Sequence, residues 1–579
     1  MSPVFRGALF AIGRMTAVYN GCKRTGMEKK VRKKRIITLA VCAASVIGSV
    51  TGCGNSDKKG GGGGHMYSAA LAGNPYSLDP QFATDPSSAT VIKNLYSGLM
   101  MKDESGNIIC CNAADYKVSS DGCVYTFSLK DDNYWFFDKN DDDKIDEDEY
   151  YPVTAYDYVF AFRRLLDPNM HSPFARDFRC LKNSGRVADG SYATHSLGVE
   201  AKDSHTLEFT LEAPCAEFLS LLTTPAAFPC NEEFFIGTKG RYGLDDRSVM
   251  SNGAFYVRQW FYDPYGSNNI LYMRKNEGNE NDSYSILPSY VSFSIQDDEA
   301  GVRQAFKDDE AECFPTMKTG GYNPKKYKIT GEQATTLGLV FNPDDKLYSN
   351  QDLRRAVALS LDREALGLDD NSDLRAAYGI IPPAVDIAGR SYRDLASDRQ
   401  FDLFDPQAAV GLLEKSKEEL KIKSVDSVKI IVDASTVDSR YLHILSQSWQ
   451  DSLGIYIGIE DLTSAEFRER IDSGNYSIAL YPLRGDFNSG IAFFDRFVTE
   501  SCLAGASGGA DCSADIIKCP TVNELVNSYT AAEKLILEKN GFIPVFYKSS
   551  YLIAKDDNDD IIYDPFTGSI DYRIARNYS

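Results

Sequence analysis

Arg484, Gly485 and Asp486 form the tripeptide that animal adhesion receptors bind, and they directly follow an apolar segment at 476–483. An adhesion motif needs an exposed, flexible loop tip. The apolar segment instead predicts a strand, and ligands of parallel α/β sheets gather beyond the carboxyl ends of strands. A carboxylate there can accept charge-assisted hydrogen bonds from a ligand cation. Adhesion motif, structural turn and cation-binding aspartate are the three interpretations, and the position favours the third.

The acidic segment DKNDDDKIDEDE at 138–149 carries a second set of residues with binding chemistry. Its oxygen donors fall at positions 1, 3, 5, 7, 9 and 12 of a calcium-binding loop, the seventh through a backbone carbonyl. Asp143 replaces the usual glycine, although aspartate tolerates a left-handed backbone better than most residues. The alternative is a solvated acidic insertion. The predicted donors of a structural Ca²⁺ are Asp138, Asn140, Asp142, Lys144, Asp146 and Glu149.

A third pattern, Gly505-Ala-Ser507-Gly-Gly509, formally matches the nucleophile elbow of serine hydrolases. That elbow needs a preceding strand, a following helix, and an acid and a histidine later in the chain. No histidine follows Ser507. The match is therefore interpreted as a chance one in a glycine-rich loop, and the chain is predicted not to be an enzyme. No cofactor is required by any motif.

The segment 427–483 contains the elements that must position Asp486. Apolar runs at 427–435, 455–462 and 476–483 predict strands, and helical spacing predicts a helix between the first two. Thr463 and Glu466 form a capping box for a second helix, which Gly474 ends. Alternating strands and helices predict an α/β fold with mixed, mostly parallel sheets.

Length and charge restrict the class of protein further. A chain of 579 residues is too long to fold around a single hydrophobic core, so two or three domains are expected. The formal net charge of −20 argues against nucleic acid as a partner, since nucleic acid needs a basic face.

The N-terminus has the pattern of a bacterial lipoprotein signal. A cationic run at 27–35 precedes fifteen apolar residues at 36–50, and small residues then lead into Cys53. Fifteen residues are short for a membrane span, which needs about 20. Cys53 is the predicted lipidation site, and the polar, glycine-rich segment at 53–65 is predicted to be a flexible tether. Residues 1–26 are predicted to be an upstream extension, because a complete signal already begins at Met27.

Several stretches resemble, in order, the solute-binding proteins of peptide and nickel ABC importers, the oligopeptide- and dipeptide-binding proteins. Together they span about 500 residues, and their number in register makes the resemblance specific. The matching stretches are SLDPQFATDPSSATVIKNLYSGLM (77–100), DGCVYTFSLKDDNYW (121–135), PVTAYDYVFAFRRLLDP (152–168), SNGAFYVRQW (251–260), LGLVFNPDDK (337–346) with NQDLRRAVALSLDREAL (350–366), AAYGIIPP (376–383) and EKNGFIPVFY (538–547).

The resemblance implies a two-lobed, periplasmic-binding-protein-like fold that closes over a ligand, with an extra subdomain in lobe one. The implied organisation is signal and extension at 1–52, tether at 53–65, lobe I at 66–325 with an inserted subdomain at about 100–235, lobe II at 326–540, and a C-terminal return to lobe I at 541–579.

The resemblance also implies a function. In peptide-binding members an aspartate in a Gly-Asp-x-Asn context accepts the ligand's α-ammonium, and Gly485-Asp486-Phe487-Asn488 matches it, with Arg484 adjacent. The chain is thus expected to be an extracytoplasmic, lipid-anchored monomer that captures peptides for an ABC permease and its ATPases. The alternatives are a nickel chelate, haem or an oligosaccharide as ligand, or a surface sensor or adhesin without transport.

Overall fold

A computed structural model describes residues 65–578 except 104–105, 143–145, 282–283, 367, 369–371, 397–403, 426, 438 and 507–510. The signal, Cys53, the tether up to residue 64, Lys144 and Ser507 lie outside the described residues. Within the described part of the chain, no helix is both long and apolar enough to cross a membrane.

The helices differ in length and in how they begin. Pro86–Leu95 starts with Asp85, whose carboxylate accepts the N–H of Ser88 at 2.8 Å, and with proline at its first position. The other helices of eight or more residues are Ala155–Leu166, Glu299–Lys307, Gln351–Leu359, Pro406–Leu420, Ser439–Leu453, Ser464–Asp472, Gly490–Thr499 and Val522–Glu538. Shorter ones are Ser184–Ala188, Phe218–Leu221, Glu232–Gly237 and Tyr392–Leu395, with 3₁₀ turns at Glu147–Glu149, Ala175–Phe178, Thr194–Ser196, Pro225–Ala227, Asp246–Ser248, Glu277–Asn279, Glu364–Leu366 and Ile516–Lys518.

Two four-stranded sheets occupy the first half of the described chain. The N-terminal sheet has the order Met66–Ala72, Tyr290–Gln296, Ile270–Lys275 and Phe255–Phe261. The insert sheet is antiparallel throughout, in the order Ala113–Val118, Val124–Leu129, Thr206–Thr210 and Val199–Ala201. Two-stranded pairs are Met100–Lys102 with Ile108–Cys110, Tyr134–Phe136 with Tyr150–Pro152, Asp386–Ile387 with Arg390–Ser391, Asn558–Asp559 with Arg576–Asn577, and Ile562–Tyr563 with Ile570–Asp571.

The large sheet has seven strands and carries the candidate site at its strand ends. Its main path runs Cys313–Thr316, Phe542–Lys555, Tyr327–Phe341, Ile478–Arg484, Val428–Asp433 and Ile457–Leu462, and Leu374–Ala376 also pairs with Phe542–Lys555. The strands 327–341 and 542–555 are buried along most of their length and pair with each other antiparallel. The other strands of the sheet pair around these two.

The predicted alternation within 427–483 is confirmed. Val428–Asp433 pairs in parallel with both Ile457–Leu462 and Ile478–Arg484. The Thr463 hydroxyl accepts the N–H of Glu466, whose carboxylate accepts the N–H of Thr463 in return, so the capping box forms. Gly474 adopts a φ of +67° after the helix, a conformation that glycine takes at little cost.

The described sheets include both parallel and antiparallel pairs, as predicted, but the prediction that most pairs are parallel is wrong, because the parallel pairs are confined to this segment and to one pair of the N-terminal sheet. The other pairs are antiparallel, whether the strands follow one another in the chain, as do Ala113–Val118 and Val124–Leu129, or lie far apart in it, as do Tyr327–Phe341 and Phe542–Lys555. The stretch 124–135 contains two strands. Val124–Leu129 ends at the polar residues 130–133, which turn the chain before Tyr134–Phe136.

Two strands that the sequence assigned to lobe I pair with strands of the large sheet, most of which was assigned to lobe II. Cys313–Thr316 and Phe542–Lys555, both assigned to lobe I from sequence, are hydrogen-bonded into the large sheet. The residues that follow do return to the N-terminal region, because Asn94 donates its side-chain amide to the carbonyl of Ile570 at 2.7 Å and accepts the N–H of Tyr572 at 2.8 Å. The boundaries themselves stay predictions.

A buried ion pair anchors the helix Val522–Glu538 to the chain segment 380–393. Glu533 is fully buried and forms an ion pair with Arg393, whose side chain is also buried. Its carboxylate accepts the N–H groups of Ile380 and Ile381 at 2.7 and 2.8 Å, and the Tyr392 hydroxyl at 3.0 Å. Removing its charge leaves the guanidinium buried without a counter-charge, which is strongly destabilising.

We therefore expect Glu533→Gln to lower the free energy of unfolding by about 3–5 kcal/mol. Equilibrium urea denaturation followed by circular dichroism measures the change. The matched control is Glu538→Gln, on the same helix, whose partner Lys534 is 3.9 Å away and exposed. The control should stay within about 0.5 kcal/mol of wild type. Equal effects of the two variants would contradict the structural role of the buried pair.

Candidate functional site

The turn that carries Asp486 connects a strand of the large sheet to a helix. Ile478–Arg484 ends at the turn, and Ser489 begins the helix Gly490–Thr499 by accepting the N–H of Ile491 at 3.0 Å. Gly485 is buried beside that helix. A Cβ at this position would lie 2.7 Å from Phe493 Cε2 and 3.0 Å from Ala492 Cβ, so packing of the helix against the turn requires glycine.

Asp486 lines two adjacent cavities. The first, of about 400 Å³, lies between the strand end 482–487, the helix 86–95 and the loop 565–568. The second, of about 360 Å³, is lined by Asp486 together with Lys102, Asp386 and Asp564. Both volumes are in the range of small-molecule and cofactor sites. The residue thus lies in a cleft, which disfavours the adhesion interpretation because that interpretation needs an exposed loop tip.

The carboxylate of Asp486 already has a partner within the protein. It forms an ion pair with Arg496, seven residues beyond the helix start at Ser489. The Arg496 guanidinium also donates to Glu500 at 3.2 Å and to the backbone carbonyl of Arg484 at 3.1 Å. Burial works to lower the pKa of Arg496, but the charges of Asp486 and Glu500 outweigh it and raise the pKa. The Asp486 side chain remains 53% exposed, so it is accessible from the cleft.

A second carboxyl group, Asp177, lines the first cavity. It lies on the 3₁₀ turn Ala175–Phe178, far from Asp486 in sequence. Burial raises its pKa well above the usual range, and the neighbouring charges of Asp486 and Asp495 raise it further, while Arg179 and Arg496 oppose them. Two carboxyl groups therefore act on each other at this cavity, and a cation between them would relieve their repulsion.

The remaining predicted site residues have different surroundings. Phe487 is 8% exposed and lines both cavities. Asn488 lines the second cavity, but its amide nitrogen donates to the Asp386 carboxylate at 2.7 Å, and its amide oxygen accepts the N–H of Asp386 at 2.9 Å. Asn488 thus fixes the position of Asp386. Arg484 lines the first cavity.

Contacts from the insert region fix the helix 490–499 in place. Asp495, near the middle of that helix, accepts hydrogen bonds from Arg179 at 2.8 and 3.1 Å and from Arg176 at 3.1 Å. Glu217 accepts the Ser489 hydroxyl at 2.7 Å and also the Tyr529 hydroxyl. Burial raises the pKa of Glu217. These bonds hold the cleft wall that presents Arg496.

The predicted calcium loop is partly described. Asp138 is 8% exposed; one carboxylate oxygen accepts the N–H of Asp141 at 2.6 Å, and the other is buried with no hydrogen-bond partner among the described residues, which exclude 143–145 of this loop. Glu149 is 1% exposed and accepts the N–H groups of Lys139 at 2.8 Å and Asp146 at 3.3 Å.

The other described donors of the loop lie closer to solvent. The Asn140 oxygen accepts the N–H of Asp142 at 3.0 Å, and the Asn140 amide donates to Asp146 at 3.3 Å. Among the residues that the structure describes, no group of three or more His, Cys, Asp or Glu side chains is arranged to hold a metal ion. The orphaned Asp138 oxygen fits a cation, and the calcium site stays a prediction.

Comparisons with known proteins identify the family of this chain. The model of the bacterial extracellular solute-binding proteins, family 5 Middle, matches residues 108–504, which is more than half of the chain. The chain belongs to this solute-binding family. The matched residues include the strand, turn and helix around Asp486.

Relatives and solved structures agree with that assignment. The oligopeptide-binding protein OppA of Bacillus subtilis (strain 168) is 23% identical over 559 residues, covering 93% of this chain and 97% of the relative. The dipeptide-binding protein DppE of the same organism is 23% identical, covering 86% and 90%. Listeria monocytogenes OppA bound to peptide superimposes with a TM-score of 0.67 at 21% identity, covering 90% of this chain and all of that chain. The pheromone receptor PrgZ gives 0.69 at 24%, covering 89% and 100%. The predicted two-lobed α/β fold is confirmed.

Two residues of the candidate site were not predicted from the sequence, Arg496 and Asp177. Arg496 could have been found by extending the analysis through the helix that Ser489 caps. Asp177 has no sequence signal of this kind, because only the tertiary fold brings residues 175–178 to the cavity.

We expect Asp177→Asn to change how stability depends on pH. Between the ordinary aspartate pKa, near 4, and the raised pKa of folded Asp177, the unfolded chain loses a proton that the folded chain retains. Wild-type stability therefore falls as pH rises through this range, by at most about 1.4 kcal/mol per pH unit from this group. Asparagine does not titrate, so the variant should gain in Tm relative to wild type from pH 4 to pH 8.

Thermal denaturation across that pH series measures the difference. The matched control is Asp189→Asn, at an exposed aspartate whose pKa is lowered because the Ser191 hydroxyl donates to it. The Tm of this control relative to wild type should not increase as pH rises. A Tm difference for Asp177→Asn that stays constant with pH would contradict a raised pKa.

Proposed function

We propose that this chain is the peptide-binding component of an ABC importer, and that Asp486 receives the α-ammonium group of the bound peptide. The observation that carries the proposal is the accessible Asp486 carboxylate in a cleft, at the Gly-Asp-x-Asn position of a family 5 chain. The relatives named above that bind oligopeptides or dipeptides support peptide as the ligand class.

The chemistry of the cleft suits an ammonium ligand. Every unmodified peptide carries one cation whatever its sequence, the N-terminus, whose pKa is near 7.7–8.0. Asp486 can accept hydrogen bonds from this ammonium through one carboxylate oxygen while the other oxygen accepts from Arg496. Asp177 adds negative potential when the arriving ammonium favours its ionisation. Binding thus depends on a feature that peptides share, and side-chain identity is left to the cavity walls.

The proposal extends to partners and location. Lobes that close on a ligand present a new surface to a permease and its ATPases. A lipid on Cys53 with a glycine-rich tether would keep a monomeric receptor close to that permease at high effective concentration. The chain would act as a receptor and not as an enzyme. Peptide is favoured over nickel chelate, haem or oligosaccharide because the charged groups at Asp486 match an ammonium.

We expect Asp486→Asn to weaken the binding of short peptides by roughly tenfold to a hundredfold, the equivalent of about 1.5–3 kcal/mol for a hydrogen bond to a charged group. Isothermal titration calorimetry with tri-alanine measures it. N-acetyl tri-alanine should bind wild type as weakly as tri-alanine binds the variant, because acetylation removes the cation.

The control variant is Asp515→Asn, whose side chain is 93% exposed and pairs with Lys518 on a 3₁₀ turn. It should bind like wild type. Unchanged affinity in Asp486→Asn would refute the ammonium site.

We also propose that Ca²⁺ binds the loop 138–149, with Asp138 and Glu149 as its buried carboxylates. The unpartnered Asp138 oxygen supports a cation at this loop. Ca²⁺ prefers oxygen ligands and tolerates irregular coordination, so it would strengthen the loop without any part in peptide capture.

Millimolar Ca²⁺ should raise the Tm of wild type relative to EDTA, by up to about 2.7 kcal/mol of added stability at a hundredfold excess over Kd. Differential scanning fluorimetry measures the shift. Asp138→Asn should abolish it. Asp148→Asn, in the same loop but 84% exposed and outside the donor positions, should retain it. A calcium-independent Tm in wild type would disprove the site.

A further inference from the structure

Two cysteine side chains meet in the core of the insert region, outside the candidate site. Cys180 is 1% exposed and Cys215 is 3% exposed, and their thiols share a hydrogen bond. Both are free thiols in this structure. The rings of Tyr125 and Phe218 pack in the same core, with their centroids 4.8 Å apart. Two thiols in direct contact within a packed core need only small side-chain rotations to reach the geometry of a disulfide.

Paired backbone holds the two cysteines near each other. Leu181 and Leu211 form an antiparallel bridge. The carbonyl of Cys180 accepts the N–H of Glu212 at 2.9 Å, and Cys215 follows Glu212 by three residues. Paired strands lie about 4.8 Å apart, and a disulfide needs Cα atoms separated by about 4.4–6.8 Å. Chain segments paired in this way are therefore close enough for the bond.

A third cysteine lies next to this pair. The N–H of Ala216 donates to the carbonyl of Cys519 at 2.8 Å, and the Cys519 thiol is 3.1 Å from the hydroxyl of Ser528. Cys519 is therefore the competing partner for Cys215. The thiol that shares a hydrogen bond with Cys215 is nevertheless that of Cys180, which favours Cys180 as the partner.

The compartment of the family permits oxidation. The matching family is one of bacterial extracellular proteins, and disulfides persist outside the reducing cytosol. The hydrogen bond with Cys215 and burial raise the pKa of Cys180 well above its ordinary value. A thiol must lose its proton to react, so the reaction belongs to folding, before the core closes over the two residues.

We propose that Cys180 and Cys215 form a disulfide in the mature protein, through exchange with a disulfide-bearing oxidant. The thiolate of one cysteine attacks a sulfur of the oxidant and forms a mixed disulfide, while the other sulfur of the oxidant leaves as a thiol. The thiolate of the second cysteine then attacks the mixed disulfide and releases the remaining sulfur of the oxidant as a second thiol. The oxidant thus takes up the two protons and two electrons that the protein thiols lose.

The position of the link gives it a role at the cleft. Cys180 directly follows Arg179, and Cys215 comes two residues before Glu217. Arg179 donates to a carboxylate of the helix 490–499, and Glu217 accepts the hydroxyl of the residue that caps this helix. The disulfide would therefore join the two chain segments that hold this helix in place. This role concerns the protein scaffold and does not depend on which ligand the cleft binds.

The test is peptide mapping of the full chain exported to a bacterial periplasm. The protein is denatured with N-ethylmaleimide and without reductant, and it is then digested with trypsin. Trypsin cleaves after Arg179, Lys182 and Lys202, so the two cysteines fall on different peptides. Mass spectrometry should find the peptides 180–182 and 203–239 as one cross-linked species that separates on reduction with dithiothreitol. Recovery of the two peptides apart, with maleimide on both cysteines, overturns the proposal.

Cys230→Ala is the matched control, because Cys230 is also buried and lies on the same tryptic peptide as Cys215. This variant should retain the cross-linked species, and Cys215→Ala should lose it. A cross-link that survives Cys215→Ala, or one that joins Cys215 to the peptide carrying Cys519, overturns the pairing. The result on the wild-type protein decides the question even where a variant fails to fold.

Hydrogen exchange tests the role of the link at the cleft. Amides of the helix 490–499 should exchange several-fold faster in Cys215→Ala than in Cys230→Ala, because local opening is easier when the two supporting segments are not joined. Addition of dithiothreitol under conditions that reduce the bond should accelerate exchange in wild type in the same way. Equal exchange in the two variants overturns the role of the link in holding this helix.

Discussion

The ion pair between Asp486 and Arg496 is the interaction on which the candidate site depends. Arg496 holds the carboxylate and, through the carbonyl of Arg484, the strand end as well. The strand, the turn and the helix capped by Ser489 must all be in place for the pair to form. Because the protein's own contacts hold this arrangement, the site is preorganised, and preorganisation favours affinity.

Like charges lie near one another at this cavity. Asp177 and Asp486 repel each other there, and the charge of Asp495 adds to the effect on Asp177. The helix that carries Asp495 is held by contacts of its own, such as the bonds from Arg179 and Arg176 to Asp495. The protein thus tolerates an unfavourable like-charge interaction that a cation at the cavity would relieve.

Local patterns predicted the elements of this architecture better than their assembly. The strands and helices of 427–483 follow from apolar spacing and from the capping box at Thr463, both of which act over a few residues. The antiparallel ladder between 327–341 and 542–555 joins segments about two hundred residues apart, and no short pattern encodes it. Asp486 was accessible to prediction because its turn has a motif. Asp177 was not, because packing between distant segments brings it to the cavity.

Gly485 affects how a search for short sequence motifs would classify this chain. The rings and methyl groups of the following helix leave no room for a side chain at this position, so packing alone demands a glycine between whichever residues flank it. With a cation before it and an acid after it, the three letters coincide with a cell-adhesion signature. A motif search would group this chain with integrin ligands, although the glycine is required because a side chain at this position would clash with Phe493.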